Sequence, residues 1–266
     1  MEYLKFILYG LIQGLTEFIP VSSTAHLKVV SIFFGIEDPG ASLSAIIQIG
    51  SVLALFWYFK NEIFNLRRQY KKKFFKNLLN ESLFRSILIG TIPIIFFGGT
   101  IKLFYPYFFD KIFRSNLSIA LVSFLMAFLM YLADSSKKGS INLKNHKYSD
   151  SILIGFSQAF AIFPGVSRSG VTISTALLSG WERRDAAKFS FLLGIPAISF
   201  AAIVEFISSF NKFNLFSFFP LLVGLTATFF SSLFAIDFLL KYLSSNDMKL
   251  FIIYRFVFGV LILLNL

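Results

Sequence analysis

The chain has 266 residues, of which 56% are hydrophobic and 15% charged, and its net charge is +11. Soluble globular domains are about 45–50% apolar and about 25% charged. The absence of cysteine and the presence of only two histidines, His26 and His146, exclude a disulfide scaffold, a thiolate metal site and a histidine-rich metal cluster. We therefore predict an all-α integral membrane protein and attribute the basic excess to cytoplasmic loops rather than to nucleic-acid binding.

The first predicted element is an apolar segment that is interrupted at its centre. Phe6–Thr16 and Val21–Gly35 flank the turn Glu17–Pro20. Each arm is shorter than the roughly 20 residues that a membrane span needs, and broken backbone at membrane depth requires a protein or polar environment. The pattern predicts a re-entrant helical hairpin. Glu2, Lys5 and the lack of a small-residue cleavage pattern argue against a cleavable signal peptide.

Three apolar segments follow this hairpin and are predicted to span the membrane. They are Ala41–Phe59, Ser86–Ile101 and Ser115–Ala133. Alone or with its flanking residues, each is long enough to cross a hydrocarbon core of about 30 Å.

The second half of the chain repeats this order. Ser151–Phe163 and Val171–Trp181 flank a second break, Pro164–Gly170, and three further predicted spans follow: Phe189–Val204, Phe213–Ile236 and Leu250–Leu266. Because a hairpin plus three spans ends on the opposite side of the membrane, the second half must be inverted. We therefore predict six spans and two re-entrant hairpins in one membrane domain, 1–266, with repeats at about 1–134 and 150–266.

Positive charge predicts the orientation of these spans. The connections Lys60–Arg85, Lys137–Lys147, Arg183–Lys188 and Lys241–Lys249 carry 17 lysines and arginines, whereas the opposite side carries four. Cytoplasmic loops are enriched in Lys and Arg. We expect both termini outside, the first hairpin entering from outside and the second from inside.

Chemically active side chains concentrate at the two hairpin tips. The first tip contains Gln13, Glu17, Ser22, Ser23, Thr24 and His26, and the second contains Ser167, Arg168, Ser169 and Thr172. Charged residues inside a membrane are costly and are functional candidates. Helix N-termini, capping hydroxyls and an arginine fork favour an anion with several oxygens, so we expect Ser22, Thr24, Ser167, Ser169 and Thr172 to bind phosphate or pyrophosphate.

Glu17 and His26 call for a further explanation, because a carboxylate beside a polyanion is repelled. Glu17, with Gln13 on the same helix face, is expected to hold a divalent cation, Mg²⁺ or Ca²⁺, or to act as a base. His26 follows Ser23 by three residues and could take or return a proton. This combination favours an enzyme over the alternative of a transporter or flippase for a lipid phosphate. Glu17 and Arg168 could instead form a purely structural pair.

These motifs resemble a known family. Gln13-x-x-x-Glu17, the Pro-Val-Ser-Ser-Thr-Ala-His run ending at His26, and Pro164–Thr172 are similar to the undecaprenyl-diphosphate phosphatase family, the bacitracin-resistance type. The similarity includes Gln48-Ile-Gly-Ser and Tyr254-Arg255-Phe. Because the Gln13 position is Glu in some members, this chain carries a neutral variant whose amide is a weaker metal ligand.

The resemblance implies hydrolysis of the C55 polyprenyl diphosphate to the monophosphate, which recycles the carrier for cell-wall synthesis and confers bacitracin resistance. It also implies six spans and two hairpins in inverted repeats, and the catalytic residues Glu17, Ser23, His26 and Arg168. The expected location is the bacterial cytoplasmic membrane, with the site open to the outer face. The expected partners are the lipid substrate and the bilayer, and the sequence leaves a homodimer open.

Two polar residues are expected to be structural. Arg255 interrupts the last predicted span, and we expect it to pair with an acid such as Glu205 or Asp237, or to snorkel. His146 lies between Asn145 and Lys147 and is expected to be a solvated loop residue.

Overall fold

The computed structural model describes residues 2–36, 40–64, 82–104, 114–136, 139–209 and 218–264, and these residues are overwhelmingly helical. In chain order the helices are α1 (Glu2–Phe18), α2 (Ser23–Phe33), α3 (Gly40–Tyr58), α4 (Ser82–Phe104), α5 (Asn116–Asp134), α6 (Tyr148–Ala159), α7 (Arg168–Leu178), α8 (Arg183–Ser209), α9 (Phe218–Tyr242) and α10 (Lys249–Leu264). A short 3₁₀ turn, Phe160–Ile162, follows α6.

Four of these helices are long and apolar enough to cross a membrane. The qualifying segments are Leu83–Ile101, Asn116–Asp134, Arg183–Ile207 and Phe218–Tyr242, and Leu43–Tyr58 is a shorter apolar helix. They overlap five of the six predicted spans, and α10 covers most of the sixth. Part of the predicted span Phe213–Ile236 and much of the basic loop Lys60–Arg85 lie outside the described residues. The fold is therefore that of an all-helical, membrane-embedded protein.

Both broken segments form a pair of helices, although the breaks do not begin and end at the predicted residues. Helix α1 continues to Phe18 and α7 already begins at Arg168, so Glu17 and Arg168 are helical rather than part of the turns. Only proline and glycine residues oppose helix at these positions, namely Pro20, Pro164 and Gly165. The helices continue through Glu17 and Arg168, because neighbouring protein groups form hydrogen bonds with these buried side chains.

Packing between the two halves is reciprocal. The first arm of each hairpin packs on a helix of the opposite half, α1 on α9 and α6 on α4, while α3 packs on α8 and α5 on α10. Gly10 in α1 and Gly155 in α6 occupy equivalent contact positions. A Cβ at either residue would overlap backbone atoms of Gly224 or Gly90, so only glycine allows these helices to approach so closely.

The residue that precedes the second arm of each hairpin has a left-handed backbone. Ser22 has φ 75° and Ser167 has φ 69°, and the only other described residues with positive φ are glycines. The Ser167 hydroxyl caps α7 by accepting from the Gly170 N–H at 3.2 Å, whereas Ser22 makes no side-chain capping bond. The two tips thus share a backbone turn that is unusual for non-glycine residues.

His146 is buried, contrary to the expected solvated position. Its exposed fraction is 8%, because its ring packs against Trp181 and Phe189. Its Nε2 lies 2.8 Å from the Ser86 hydroxyl, and its Nδ1 lies 3.0 Å from the Leu143 carbonyl oxygen. Burial lowers the pKa of His146, because it disfavours the charged imidazolium. The residue therefore fixes the loop before α6.

Candidate active site

Glu17 lies at the centre of a buried hydrogen-bond cluster near the end of α1. Its Oε2 accepts from Gln13 Nε2 at 2.9 Å, from Ser23 Oγ at 2.9 Å and from Gln48 Nε2 at 2.8 Å. Three donors on one oxygen compensate the carboxylate for the loss of its hydration. The bond from Ser23 directs its hydroxyl proton at the Glu17 carboxylate, which could accept it.

Arg168 extends from the second tip toward the same carboxylate. Its Nη2 is 3.5 Å from Glu17 Oε1, while its Nη1 donates to the Ser190 carbonyl oxygen at 3.0 Å. A charge-assisted bond of this type is usually about 2.7–2.9 Å long, so the ion pair is loose. Arg168 Nε is buried and has no partner. The guanidinium therefore retains donor capacity for a ligand.

Gly194 makes room for this guanidinium. A Cβ at position 194 would overlap the Nη1 and Cζ atoms of Arg168. Helix α8 consequently contributes both the carbonyl of Ser190 that holds the guanidinium and the space it occupies. The arrangement ties Arg168 to α8 rather than leaving it on a free loop.

His26 is hydrogen-bonded on both ring nitrogens, but not to Ser23. Nδ1 lies 2.7 Å from the Ser22 carbonyl oxygen, and Nε2 lies 2.6 Å from the Tyr254 hydroxyl. A carbonyl can only accept, so Nδ1 carries a proton, and in the neutral ring Nε2 accepts from the Tyr254 hydroxyl. The ring also stacks on Phe258 with 4.2 Å between centroids. This network holds the carbonyl of the left-handed Ser22.

Arg255 joins the two tips, and no acidic side chain of the described residues pairs with it. It is fully buried, and it donates to the carbonyl oxygens of Pro20 at 3.3 Å, Val166 at 3.4 Å and Gly165 at 2.5 Å. The expected pairing with Glu205 or Asp237 is therefore wrong, since its partners are backbone groups. Carbonyls at the hairpin breaks have no helical partner, and a single guanidinium satisfies three of them.

A cavity of about 530 Å³ contains the Glu17 and Arg168 side chains at one end. Its polar end is lined by Thr16, Glu17, Ser22, Ser23, Thr24, Gln48, Ser167 and Arg168. Most of the remaining lining is apolar and comes from α4, from α8 and from the segment before the second tip. Ile95 and Phe200 line this apolar end and are also exposed at the surface of the helix bundle. The cavity is thus amphipathic.

The structure places six of the predicted site residues on this cavity and the others elsewhere. Glu17, Ser22, Ser23, Thr24, Ser167 and Arg168 line it. The Ser169 hydroxyl instead contacts the carbonyl oxygens of Glu17 and Ile19 at 3.4 Å, and Thr172 bonds to the Ser190 hydroxyl at 2.6 Å. Both side chains are fully buried, and they join the tips to each other and to α8.

The residues around Glu17 fit a cation that is shared with a pyrophosphate better than a resident metal centre. The described part of the chain contains no cluster of three His, Cys, Asp or Glu side chains that could hold a metal ion. Glu17 is the one carboxylate of the cluster, and Gln13 and Gln48 direct amide nitrogens at it. Mg²⁺ commonly binds through one or two carboxylates together with substrate phosphates and waters. Glu17 would supply the carboxylate ligand of such an ion, and Gln13 and Gln48 would contribute only if their amides turned their oxygens toward it.

For three residues of this site, the sequence predicts no catalytic or positioning role. Gln48, Tyr254 and Arg255 lie in α3 and α10, far from the tip motifs in the sequence. Each is polar within a predicted span, which is a signal for function or for a structural pair. What each one contacts could not be inferred from its spacing.

Comparison with known proteins agrees with this architecture. The chain matches the family model described as Bacitracin resistance protein BacA over residues 6–261. A Prochlorococcus marinus strain MIT 9312 protein named undecaprenyl-diphosphatase is 80% identical over 265 residues, covering 100% of this chain and 99% of that protein. The protein of the same name from strain MIT 9301 is 74% identical, and the match covers 100% of this chain and 100% of that protein. The one from strain MIT 9313 is 46% identical, and the match covers 96% of this chain and 86% of that protein.

The fold and the site define a helical, membrane-embedded protein with a buried Glu17–Arg168 cluster between two broken helical segments. Within that class, the chain belongs to the BacA family.

Proposed function

We propose that the chain hydrolyses undecaprenyl diphosphate to undecaprenyl phosphate and inorganic phosphate. The bond between the bridging oxygen and the terminal phosphorus breaks, and water supplies the new oxygen on that phosphorus. The product is a lipid carrier ready for another round of cell-wall synthesis, and its regeneration accounts for bacitracin resistance. Family membership and the names of the relatives support this activity.

The observation that carries the proposal is the amphipathic cavity. Its polar end offers Arg168 and several hydroxyls to a pyrophosphate, while its apolar end offers isoleucine, alanine and phenylalanine side chains to the adjoining prenyl units. A soluble pyrophosphate would gain nothing from the apolar end. A lipid without a phosphate would leave the Nε donor of Arg168 unsatisfied.

Each catalytic residue has a proposed role. Arg168 binds phosphate oxygens and stabilises the negative charge that develops on them in the transition state. Glu17 accepts a proton either from Ser23, which then attacks phosphorus and is later released by water, or from a water that attacks directly. Ser22, Thr24 and Ser167 bind phosphate from the cavity wall. Ser169 and Thr172 support them by holding the tips in place.

His26 is proposed to move a proton during the reaction, while Tyr254 occupies its Nε2 in the resting arrangement. The Tyr254 hydroxyl must exchange places with Ser23 or a water before Nε2 can serve the cavity. Until then, His26 holds the Ser22 carbonyl and so orients the neighbouring Ser23.

We propose that the two halves form an inverted repeat in one domain of the bacterial cytoplasmic membrane. The six spans, two re-entrant hairpins and repeats of about 1–134 and 150–266 are supported by the reciprocal packing of α1 on α9 and α6 on α4. The charge asymmetry supports a site that opens to the outer face. A homodimer in the membrane remains part of this proposal.

The direct test of function is phosphate release by purified protein in detergent from undecaprenyl diphosphate. We expect stoichiometric undecaprenyl phosphate and inorganic phosphate, and no release from undecaprenyl phosphate itself. A lipid-phosphate transporter or flippase is the alternative, and the reciprocal packing would suit it too. Absence of hydrolysis, together with translocation of the monophosphate in vesicles, would favour that alternative.

Removal of divalent cations should abolish most of this activity. The Glu17 carboxylate must lie beside a pyrophosphate, and Mg²⁺ or Ca²⁺ would neutralise the repulsion between them. The measurement is turnover in excess EDTA, followed by titration of each cation back into the assay. Full turnover in EDTA would instead leave Glu17 as a base without a metal.

Cysteine labelling should reveal the proposed orientation. The chain lacks cysteine, so a single cysteine at Ser115 or at Ser245 has no background. Both positions are exposed, and they lie at opposite ends of the bundle. In intact cells, a membrane-impermeant maleimide should label Ser115→Cys but should label Ser245→Cys only after permeabilisation. The reverse result would invert the topology.

A further inference from the structure

A second, smaller cavity of about 190 Å³ adjoins the amphipathic cavity. Its polar lining residues are Gln13, Thr24, Ser44, Gln48 and Arg114, and Ala45 lies beside them in the wall. Thr24 and Gln48 also line the large cavity, so the two spaces share a wall. Gln13 and Gln48 in that wall both bond to the Glu17 carboxylate. The small cavity therefore lies directly behind the catalytic cluster.

The two cavities differ in chemical character. Away from its polar end, the large cavity is lined mainly by apolar residues of α4 and α8. The small cavity combines Arg114 with two amides and two hydroxyls. A liquid-like water occupies about 30 Å³, so a space of 190 Å³ can hold an ion such as orthophosphate with some of its hydration. Its polar lining and the positive charge of Arg114 suit an anion better than an isoprenoid chain.

Hydrolysis creates two products with opposite requirements. The prenyl phosphate can return to the bilayer through the apolar end of the large cavity. Orthophosphate carries nearly two negative charges and cannot leave through hydrocarbon. While the lipid product still fills the apolar end, orthophosphate must depart in another direction. The small cavity offers that direction, since Arg114 directly precedes α5, at the end of the bundle that the charge asymmetry assigns to the outer face.

We propose that the small cavity is the exit site for orthophosphate, with Arg114 as its receiving cation. This inference rests on the proposed phosphatase activity and adds a binding site to it. Thr24 and Gln48 line both cavities, so they contact the ion as it moves from the large cavity to Arg114. The lipid and the inorganic product then leave by separate routes, so neither has to wait for the other.

The test is product inhibition by inorganic phosphate in the purified protein. For Arg114→Gln, we expect the inhibition constant for phosphate to rise about tenfold, because one charge-assisted contact is lost. The KM for undecaprenyl diphosphate should stay near the wild-type value. Arg114→Lys should recover part of the phosphate affinity. Arg184→Gln is the matched control, because Arg184 is exposed and lies at the opposite end of the bundle.

A second variant fills the cavity without changing charge. Ala45→Leu should reduce the space for the ion, slow phosphate release and convert a linear time course into a burst of lipid product followed by slow turnover. Arg114 and Ala45 variants that keep wild-type phosphate inhibition and linear kinetics would overturn the exit site. Failure of the wild-type protein to release any phosphate would instead overturn the proposed function, so the two outcomes are distinguishable.

Discussion

Arg168→Lys should lose about 10²–10³-fold in turnover on undecaprenyl diphosphate while the protein still folds. The guanidinium donates to the Ser190 carbonyl through Nη1 and retains an unpartnered buried Nε, so it can bond to α8 and to phosphate simultaneously. An ammonium has the same charge but not the planar fork, and it is too short to replace both sets of bonds. The measurement is kcat for the purified variant, with thermal unfolding as the check on folding.

Arg183→Lys is the matched control for this substitution. Arg183 bonds to Asp134 at 2.6 Å at the opposite end of the bundle, so the same chemical change there removes a bidentate contact outside the cavity. We expect near-normal turnover for this control. Wild-type turnover in Arg168→Lys would show that the guanidinium serves only to pair with Glu17.

Ser23→Ala should separate the two mechanisms left open at phosphorus. If Ser23 is the nucleophile, the variant should lose nearly all turnover, by at least about 10³-fold, since covalent catalysis is removed. If water attacks, the loss should be modest, because Glu17 keeps its other donors, Gln13 and Gln48. The measurement is single-turnover hydrolysis in ¹⁸O-labelled water, together with a search for phosphoserine in the wild-type protein.

Ser31→Ala provides the control for this second prediction. Ser31 lies in the same helix, α2, where its hydroxyl donates to the Leu27 carbonyl away from the large cavity. Loss of turnover in both serine variants would point to a damaged helix rather than to a missing nucleophile.

The sequence was sufficient to predict two helical segments that are broken near their centres, because hydropathy and chain breaks are local properties. Glu17 and Arg168 could also be predicted as functional candidates or as an ion pair, because a charge in an apolar segment needs a partner or a function. The structure brings these two side chains within 3.5 Å of each other. The residues at which the helices end could be predicted less well from the sequence. A buried polar residue such as Glu17 can continue a helix when tertiary partners form hydrogen bonds with it.

The division between cavity-lining and supporting residues could not be predicted. Ser167 and Ser169 are two positions apart and have the same side chain, yet one lines the cavity and the other bonds to backbone of the opposite tip. The direction of each depends on how the hairpins meet. The roles of Tyr254 and Arg255 were hidden for the same reason, because their partners lie in segments that only the folded bundle brings together.

The left-handed turns at Ser22 and Ser167 imply that a gain in thermal stability at these positions would lower catalytic activity. A non-glycine residue in this conformation costs about 1–2 kcal/mol, which glycine would largely avoid. Glycine would also remove a hydroxyl from the polar end of the cavity at each position. A screen for more heat-resistant versions of this protein should therefore enrich Ser22→Gly and Ser167→Gly among poorly active survivors, because stabilising changes at a functional site often reduce activity.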